Sequence, residues 1–540
     1  MKLKRSYLED KAYLVVDDFG DMRSLIKNML LSCGVSDISV AVNGLQAIAS
    51  MESRRFDVVL CDYNLGAGKD GQQVLEEARH RGLIGLGTVF VMITAENARE
   101  MVMGAVEYEP DSYLTKPFNK DLLRSRLEKL IAKKQNLLTV EQAMDRKDFT
   151  QAIHIIDEKI AGKPPNISEL NKLKGEICLQ AGEIDLAAAV YEKVLAVREM
   201  PWARLGLGKT LFLSKRYSEA KEVFQGLIND NERYTAAYDW LAKTYKCLNQ
   251  MQSAQEVLQK ATDLSPKVVV RQRALGEIAL TNKDERTANA AFSSAVKFGR
   301  HSVYKHPSIY ANLAKVTAAS KTGGAGLKII KEMEREFSDN AEASFYAAAA
   351  ESVIHEGMGN AEASKKSLDR ALGLYDTLGQ HASTDYSIEL AKTYDKLGDP
   401  KKAIDLLHQA VRNNHSDEEL LSEVGATMES LGLQDDSANF IAEIRKEIVR
   451  LNNKGVQLAK VGKLEEAIIL FEEAAEGMSG NKVVNLNAAR VLLMNMEKNG
   501  MAAGEMGKVR LYLDRVKRVD PDNQVLRKLQ IKFQEMVSRV

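Results

Sequence analysis

Five polar residues near the start of the chain could together carry out phosphoryl chemistry: Asp17, Asp18, Asp62, Thr94 and Lys116. Three carboxylates in one pocket repel one another strongly unless a cation lies among them. Carboxylate oxygens on a shallow surface suit Mg²⁺, which keeps several water ligands and pairs readily with phosphate. A hydroxyl and an ammonium group are both able to hold phosphoryl oxygens. If the fold gathers these residues, they predict a metal-assisted phosphoryl-transfer site with an aspartate nucleophile.

Five short apolar segments are predicted to form strands, and four of them end where these polar residues begin. The segments are residues 12–16, 36–42, 56–61, 88–93 and 113–115. Helical patterns lie between them, and alternating strands and helices predict a parallel sheet with helices on both faces. In such sheets the functional site lies beyond the carboxyl ends of the strands. The predicted α/β fold therefore brings the five polar residues to one edge.

The same stretches resemble a known family, the receiver domains of two-component response regulators. The matching motifs are LVVDD (14–18), VVLCDYNL (58–65), VMITA (91–95) and YLTKPF (113–118). The resemblance covers about residues 10–130 and implies a flavodoxin-like fold with a five-stranded parallel sheet. We place this domain at residues 1–130.

The resemblance also implies the ligands of a metal and the acceptor of a phosphoryl group. Asp62 would accept the phosphoryl group, and Asp17, Asp18 and Asp62 would bind Mg²⁺ together with the backbone carbonyl of Asn64. Asn64 and Glu96 occupy the positions that tune phosphoryl lifetime in this family. Their types resemble those of short-lived chemotaxis receivers, so the resemblance implies rapid loss of the phosphoryl group.

Three further roles follow from the resemblance. Thr94 and Lys116 would contact the phosphoryl oxygens and act with Asp62 in catalysis. Thr94 and Tyr113 would form the switch pair, and the loop and helix after Thr94 would form the signalling face. The Lys116–Pro117 bond would be cis. The alternative is a flavodoxin-like domain that has lost its switching function.

Two segments depart from the family pattern. Residues 65–71 are rich in glycine, lack the usual proline and are one residue longer than expected. Residues 107–112 are also longer and acidic. Both flank the predicted site or its switch face, so they bear on the choice of partner more than on the chemistry.

From about residue 137 the sequence predicts successive helices that repeat with a period of 33 or 34 residues. Small residues recur at Gly175, Gly208, Ala242 and Gly276. A further small residue follows twelve positions later, and a large one sixteen positions later. These are Ala187, Ala220, Ala254 and Ala288, and then Tyr191, Phe224, Leu258 and Phe292. The pattern returns around Ala391 and Ala403, and around Gly455 and Phe471.

This pattern resembles the tetratricopeptide repeat, in which two antiparallel helices form each unit. One unit cannot bury its apolar face alone, so the resemblance implies an all-α superhelical solenoid over residues 131–540. The spacing loosens between residues 276 and 391, and we interpret this as a bend or a break between two stacks near residues 300–345. The concave face of such an array implies a protein partner; the alternative is an array that makes only homo-oligomer contacts.

Composition excludes several other classes of protein. The 540 residues contain 75 basic and 75 acidic side chains, so net charge gives no reason to expect nucleic acid. The four cysteines form no Cys-x-x-Cys pair, which favours reduced thiols over a zinc or disulfide framework. No apolar run approaches the length of a membrane helix, and the first ten residues are unlike a signal peptide. We therefore expect no membrane span and a cytoplasmic location.

These features favour a phosphorylation-controlled response regulator, in which a sensor histidine kinase or phosphotransfer protein phosphorylates Asp62 and the repeats bind a protein partner. The chain would not be an enzyme apart from its own phosphotransfer and autodephosphorylation. One alternative is a constitutive scaffold or phosphate sink. A DNA-binding regulator or an output enzyme would need a basic recognition helix or a second catalytic cluster, and the sequence supports neither. Because receivers and repeat arrays often dimerise, a homodimer is also considered.

Overall fold

The computed structural model describes residues 8–95, 109–320, 322–378, 384–430, 437–500, 503–521 and 523–538. The chain divides into two compact units. The first contains Met1–Asn282 and Arg286–His306, and the second contains Lys283–Glu285 and Pro307–Val540.

The first unit begins with an α/β domain, and the predicted fold class is confirmed. Its five strands are β1 (Tyr13–Val16), β2 (Ile38–Ala41), β3 (Val58–Asp62), β4 (Val89–Thr94) and β5 (Ser112–Thr115). Its described helices are α1 (Gly20–Leu31), α2 (Gly44–Ser53), α3 (Gly71–His80) and α4 (Lys120–Gln135). Strands β1, β3 and β4 are buried along their whole length, as expected for a sheet that is covered on both faces.

All strands of this sheet are parallel, in the order β2-β1-β3-β4-β5. Val16 lies opposite Cys61, and Thr94 lies opposite Thr115. The strands therefore end at nearly the same level, which places the next residue of each strand at a common edge. One apolar core lies on each side of the sheet.

The rest of the described chain is helical and confirms the predicted solenoid. In the first unit the helices are α5 (Leu138–Asp145), α6 (Phe149–Ala161), α7 (Ile167–Gln180), α8 (Ile184–Leu195), α9 (Pro201–Leu213), α10 (Tyr217–Asp230), α11 (Thr235–Cys247), α12 (Met251–Leu264), α13 (Val269–Thr281) and α14 (Glu285–Gly299). In the second unit they are α15 (Pro307–Ser320), α16 (Gly323–Glu336), α17 (Ala341–Gly357), α18 (Ala361–Leu378), α19 (Thr384–Lys396), α20 (Pro400–Asn413), α21 (Glu418–Ser430), α22 (Ser437–Lys460), α23 (Leu464–Gly477), α24 (Lys482–Asn499), α25 (Ala503–Val519) and α26 (Gln524–Val537).

The recurring small residues allow the two helices of a pair to approach closely. A Cβ atom placed on Gly208 would lie 2.4 Å from the ring of Phe224, and one on Gly455 would lie 2.4 Å from Phe471. Real Cβ atoms do not approach other atoms so closely, so each ring occupies the space that a side chain would need. The residue sixteen positions later is therefore large because it fills the gap that the glycine leaves.

The turn between the two helices also repeats in eight of the described pairs. It contains a residue with positive φ, a conformation that glycine adopts at little cost and other residues adopt rarely. Four of these residues are not glycine: Lys147, Lys215, Asn249 and Lys283, with φ between 56° and 62°. At the matching point of four other pairs the residue is Gly182, Gly359, Gly398 or Gly462.

Helix α22 interrupts the regular order of helix, turn and helix. It runs without a break for 24 residues. Its second half includes Gly455, whose contact with Phe471 of α23 belongs to the next pair. One continuous helix thus serves two successive repeats, which the sequence pattern does not predict.

Candidate functional site

Three carboxylates meet at the carboxyl edge of the sheet. Asp17 and Asp18 follow β1, and Asp62 ends β3. One oxygen atom from each lies within 4.8 Å of the other two. Asp17 and Asp62 are buried, whereas Asp18 is exposed. Among the described residues, this is the single group of three or more acidic, histidine or cysteine side chains close enough to share a metal ion.

Lys116, directly after β5, neutralises part of this negative charge. Its ammonium lies 2.9 Å from Asp17 Oδ2 and 3.1 Å from Asp62 Oδ1. Burial raises the pKa of the Asp62 carboxyl to about 6; Lys116 opposes this rise, and the charges of Asp17 and Asp18 add to it. Burial alone would lower the pKa of Lys116, but its bonds to Asp17 and Asp62 raise it. The edge therefore holds an excess of negative charge beside one cation.

The two predicted switch residues lie on neighbouring strands. Thr94 ends β4, is almost fully buried and donates its hydroxyl hydrogen to the carbonyl oxygen of Ala95 at 3.0 Å. Tyr113 lies in β5 and is half-buried, and burial raises the pKa of its hydroxyl to about 12, with Glu109 and Tyr63 adding to the rise. The Lys116–Pro117 bond is cis, as the resemblance implies.

Asn64 lies in the exposed loop after Asp62, where its side-chain oxygen accepts a hydrogen bond from the Gly66 N–H at 3.4 Å. Its backbone carbonyl as a metal ligand stays a prediction. Glu96 and the signalling segment after Thr94 fall in residues 96–108, outside the described part of the chain.

Three residues that the sequence did not reveal support the carboxylates. The Phe19 N–H donates to Asp17 Oδ1 at 2.8 Å, and the guanidinium of Arg23 donates to the Asp17 carbonyl at 2.6 Å. A Cβ on Gly66 would lie 3.0 Å from Asp18 Oδ2, so a glycine there leaves the carboxylate room. The Asp-Asp-Phe-Gly spacing could have indicated the backbone bond to Asp17, but not the contact of Gly66, which depends on the fold.

The donor set fits Mg²⁺. All three side chains offer oxygen, one of them is open to solvent, and their mutual repulsion is relieved by a divalent cation. Asp17, Asp18 and Asp62 would hold the ion, with Lys116 alongside.

Two glycines of repeat helix α9 stand close together in the sequence. They belong to the segment Gly206-Leu207-Gly208-Lys209-Thr210. Cβ atoms on Gly206 and Gly208 would meet the rings of Tyr191 and Phe224 at 2.3 and 2.4 Å. These glycines therefore serve helix packing.

The comparisons with known proteins separate the chain into two parts. Residues 13–128 match the family model of the response regulator receiver domain. Residues 179–243 and 235–268 match two models of the tetratricopeptide repeat.

The curated relatives that match the first part include two chemotaxis proteins. The chemotaxis protein CheY-3 of Vibrio cholerae is 33% identical over 123 residues, which cover 22% of this chain and 88% of that protein. The chemotaxis protein CheY of Pseudomonas aeruginosa is 32% identical over 117 residues, covering 22% and 93%. A solved tetratricopeptide repeat protein from Parabacteroides merdae is 13% identical with a TM-score of 0.31, and the match covers 45% of this chain and 92% of that one.

The parallel sheet and its acidic edge are those of a receiver domain, and a solenoid of helical pairs follows it. The chain belongs to the response regulator receiver family through its N-terminal domain, which tetratricopeptide repeats follow. None of the described helices is long and apolar enough to cross a bilayer.

Proposed function

We propose that this chain is a phosphorylation-controlled response regulator whose repeats bind a protein partner as output. A histidine kinase or a phosphotransfer protein supplies the phosphoryl group, and Asp62 accepts it. The observation that carries the proposal is the cluster of Asp17, Asp18 and Asp62 with Lys116, at the carboxyl edge of a sheet that belongs to the receiver family.

The reaction moves one phosphoryl group between two side chains. The P–N bond of a phosphohistidine breaks as an oxygen of the Asp62 carboxylate forms a P–O bond, and the released imidazole nitrogen keeps the electron pair. Mg²⁺, when bound, neutralises charge that builds up on the phosphoryl oxygens. Asp17 and Asp18 position that ion, and Lys116 stands within reach of Asp62 to pair with the new charge.

The output would come from the repeats. Stacked helical pairs form extended surfaces that bind peptides or partner helices. We propose no catalytic role for residues 137–540, since the chemistry described above belongs to the receiver. A constitutive scaffold or phosphate sink is the alternative, in which the repeats bind their partner whatever the state of Asp62.

The acceptor is tested by incubating the purified chain with Mg²⁺ and acetyl phosphate, followed by intact-mass measurement. The wild type should gain the mass of one phosphoryl group, and the Asp62→Asn variant should gain none. Asp21→Asn, which removes an exposed carboxylate from the first turn of α1, is the matched control and should behave as the wild type. A modified Asp62→Asn variant would refute Asp62 as the acceptor.

The output is tested by capturing partners with three samples: wild type with Mg²⁺ and beryllofluoride, wild type without ligand, and Asp62→Ala with both ligands. A partner whose capture changes with beryllofluoride only in the wild type supports phosphorylation control. Equal capture in all three samples would favour the constitutive scaffold.

A further inference from the structure

The loop from Tyr63 to Gly71, here called the 63–71 loop, connects the acceptor to helix α3. Its first residues lie in the site, where Gly66 faces the Asp18 carboxylate. Its last residue is held against the acceptor: the Gly71 N–H donates to the Tyr63 carbonyl at 2.8 Å, and a Cβ on Gly71 would lie 2.2 Å from the Asp62 carbonyl oxygen. A change at Asp62 therefore reaches the start of α3 directly.

The same loop and α3 contact the repeats within the first unit. The ammonium of Lys69 donates to the backbone carbonyl of His301, and the side-chain amide of Gln73 donates to the carbonyl of Phe298 at 3.2 Å. At the last residue of α3, the ring of His80 meets the ring of Tyr304 edge to face, with centroids 5.6 Å apart. These three interactions are called the α3–α14 contact, because Phe298 lies in the last turn of α14 and the other two repeat residues follow it.

A third contact lies closer to the acceptor. The Lys267 ammonium, just before α13, lies 5.9 Å from the ring centre of Tyr63, the residue that follows Asp62. The 63–71 loop thus touches the repeats near both of its ends.

The α3–α14 contact satisfies groups that a helix leaves open. The last carbonyls of a helix have no partner within it, and that end attracts positive charge. Gln73 donates to the Phe298 carbonyl in the last turn of α14, and Lys69 brings a cation to the His301 carbonyl, two residues beyond the helix. Only 12% of the Lys69 side chain is exposed, and it also pairs with Glu77 of α3 at 2.7 Å. The receiver therefore caps the end of α14, the last helix of the first unit.

We propose that occupancy of the Asp62 site and the α3–α14 contact stabilise each other through the 63–71 loop. This inference rests on the proposed function and adds the route by which phosphorylation reaches the repeats. It places the coupling on the α3 side of the receiver, not on the predicted signalling segment after Thr94.

Two physical arguments give the sign of the coupling. The contact orders the 63–71 loop in advance, so Mg²⁺ and a phosphoryl group lose less conformational entropy when they engage it. An added phosphoryl group also brings negative charge to the residue before Tyr63, which strengthens the attraction for Lys267. Because coupling between two sites is reciprocal, an occupied site must in turn strengthen the contact.

Hydrogen exchange of the full chain, followed by mass spectrometry, measures both ends of this coupling. With Mg²⁺ and beryllofluoride, peptides that span residues 58–71 and residues 298–304 should both exchange more slowly than without them. Asp62→Ala should show neither change.

The Gln73→Ala variant removes the hydrogen bond to Phe298. It also removes the bond that the Asp70 N–H donates to Gln73 Oε1, although Asp70 still caps α3 through the backbone N–H of residue 73. Its residues 298–304 should exchange faster and no longer respond to beryllofluoride. Its affinity for Mg²⁺ with beryllofluoride should fall by about fivefold or more. Tyr304→Ala, which alters only the repeat side, should act in the same direction. Lys260→Ala, an exposed change in α12, is the control and should match the wild type.

The outcomes separate the two proposals. No protection at residues 58–71 would mean that the proposed function fails. Protection there without a change at residues 298–304, or with faster exchange at them, would overturn the coupling and leave the proposed function standing. Wild-type ligand affinity in Tyr304→Ala would also overturn it, whatever the affinity of Gln73→Ala.

Discussion

The ammonium group of Lys116 lies between two carboxylates, 2.9 Å from Asp17 and 3.1 Å from Asp62. This cation directly follows the last strand of the sheet, and the carboxylates lie at the ends of the first and third strands. It therefore balances charge at the same place where a divalent ion would do so.

Removing this cation should strengthen metal binding. In Lys116→Met the three carboxylates lose their neighbouring positive charge, so Mg²⁺ should bind on the order of tenfold more tightly. Isothermal titration calorimetry near neutral pH measures the affinity. Lys129→Met, which removes an exposed ammonium from α4, should leave it unchanged. Equal affinity in Lys116→Met and the wild type would mean that Lys116 does not compete with the ion.

A methyl group at a packing glycine should destabilise the first unit. Gly208→Ala would push its Cβ against the Phe224 ring, and overpacking of this kind costs roughly 1–3 kcal/mol. The midpoint of urea unfolding should fall. In Gly373→Ala of α18, the new Cβ meets no atom within 4 Å, so the gain in helix propensity should raise stability by up to about 1 kcal/mol. If Gly208→Ala and Gly373→Ala shift the midpoint alike, then Gly208 is not needed to make room for the Phe224 ring.

An ion pair between successive repeats, in which the arginine is buried and 39% of the aspartate side chain is exposed, should respond differently to the loss of each partner. Arg271 of α13 is 5% exposed and binds both oxygens of Asp239 in α11, at 2.7 and 2.6 Å. Asp239→Ala leaves a buried guanidinium unpaired and should cost roughly 3–5 kcal/mol. Arg271→Met removes the buried charge itself, so it should lower the free energy of unfolding clearly less than Asp239→Ala does.

The control for this pair is Glu219→Ala, which breaks an exposed ion pair with Arg216 and should leave stability close to that of the wild type. Differential scanning calorimetry on the three variants gives the order of stabilities. An Arg271→Met variant that is less stable than Asp239→Ala would contradict this account.

The second unit should lose stability in mild acid through His415. Burial lowers the pKa of this imidazole below its ordinary value of 6.5, and the charges of Arg445 in α22 and Lys482 in α24 lower it further. Its Nδ1 lies 3.0 Å from the side-chain amide of Asn481, which suits a neutral ring that accepts a hydrogen bond. Since the folded pKa is depressed, the contribution to stability is present above about pH 6.5 and is lost as pH falls below it.

His415→Gln should therefore weaken the pH dependence of the unfolding midpoint between pH 7 and pH 5. Some dependence should remain, because burial and then the charge of Arg412 also lower the pKa of His408. His154→Gln, at an exposed position of α6, is the control. If the unfolding midpoint of His415→Gln depends on pH as that of the wild type does, the His415 ring does not contribute to the acid sensitivity of the second unit.

The strands of the receiver could be predicted because their signals are local. The predicted segment 88–93 became Val89–Thr94, and 56–61 became Val58–Asp62, because apolar runs in a doubly covered sheet stand out from polar loops. The gathering of Asp17, Asp62 and Lys116 also followed from topology alone. The roles of these residues in catalysis stay predictions.

The contacts of Gln73 with Phe298 could not be predicted, since they join residues that are 225 positions apart and involve a backbone carbonyl. No side-chain pattern encodes such an acceptor. The continuous helix α22 was missed for a different reason. Small residues mark where helices pack, but they do not show whether the chain turns between two of them.

The left-handed turn residues occur at the same point of successive repeats, including Lys147, Lys215 and Asn249. A duplication or deletion of one whole repeat therefore keeps every later helix pair in phase, so this array can change length during evolution without losing its packing. Helix α22 is the exception, because a cut between its two repeats would fall inside a helix. A change of length that keeps the packing should therefore begin and end in the segments that flank this helix, and not between its two repeats.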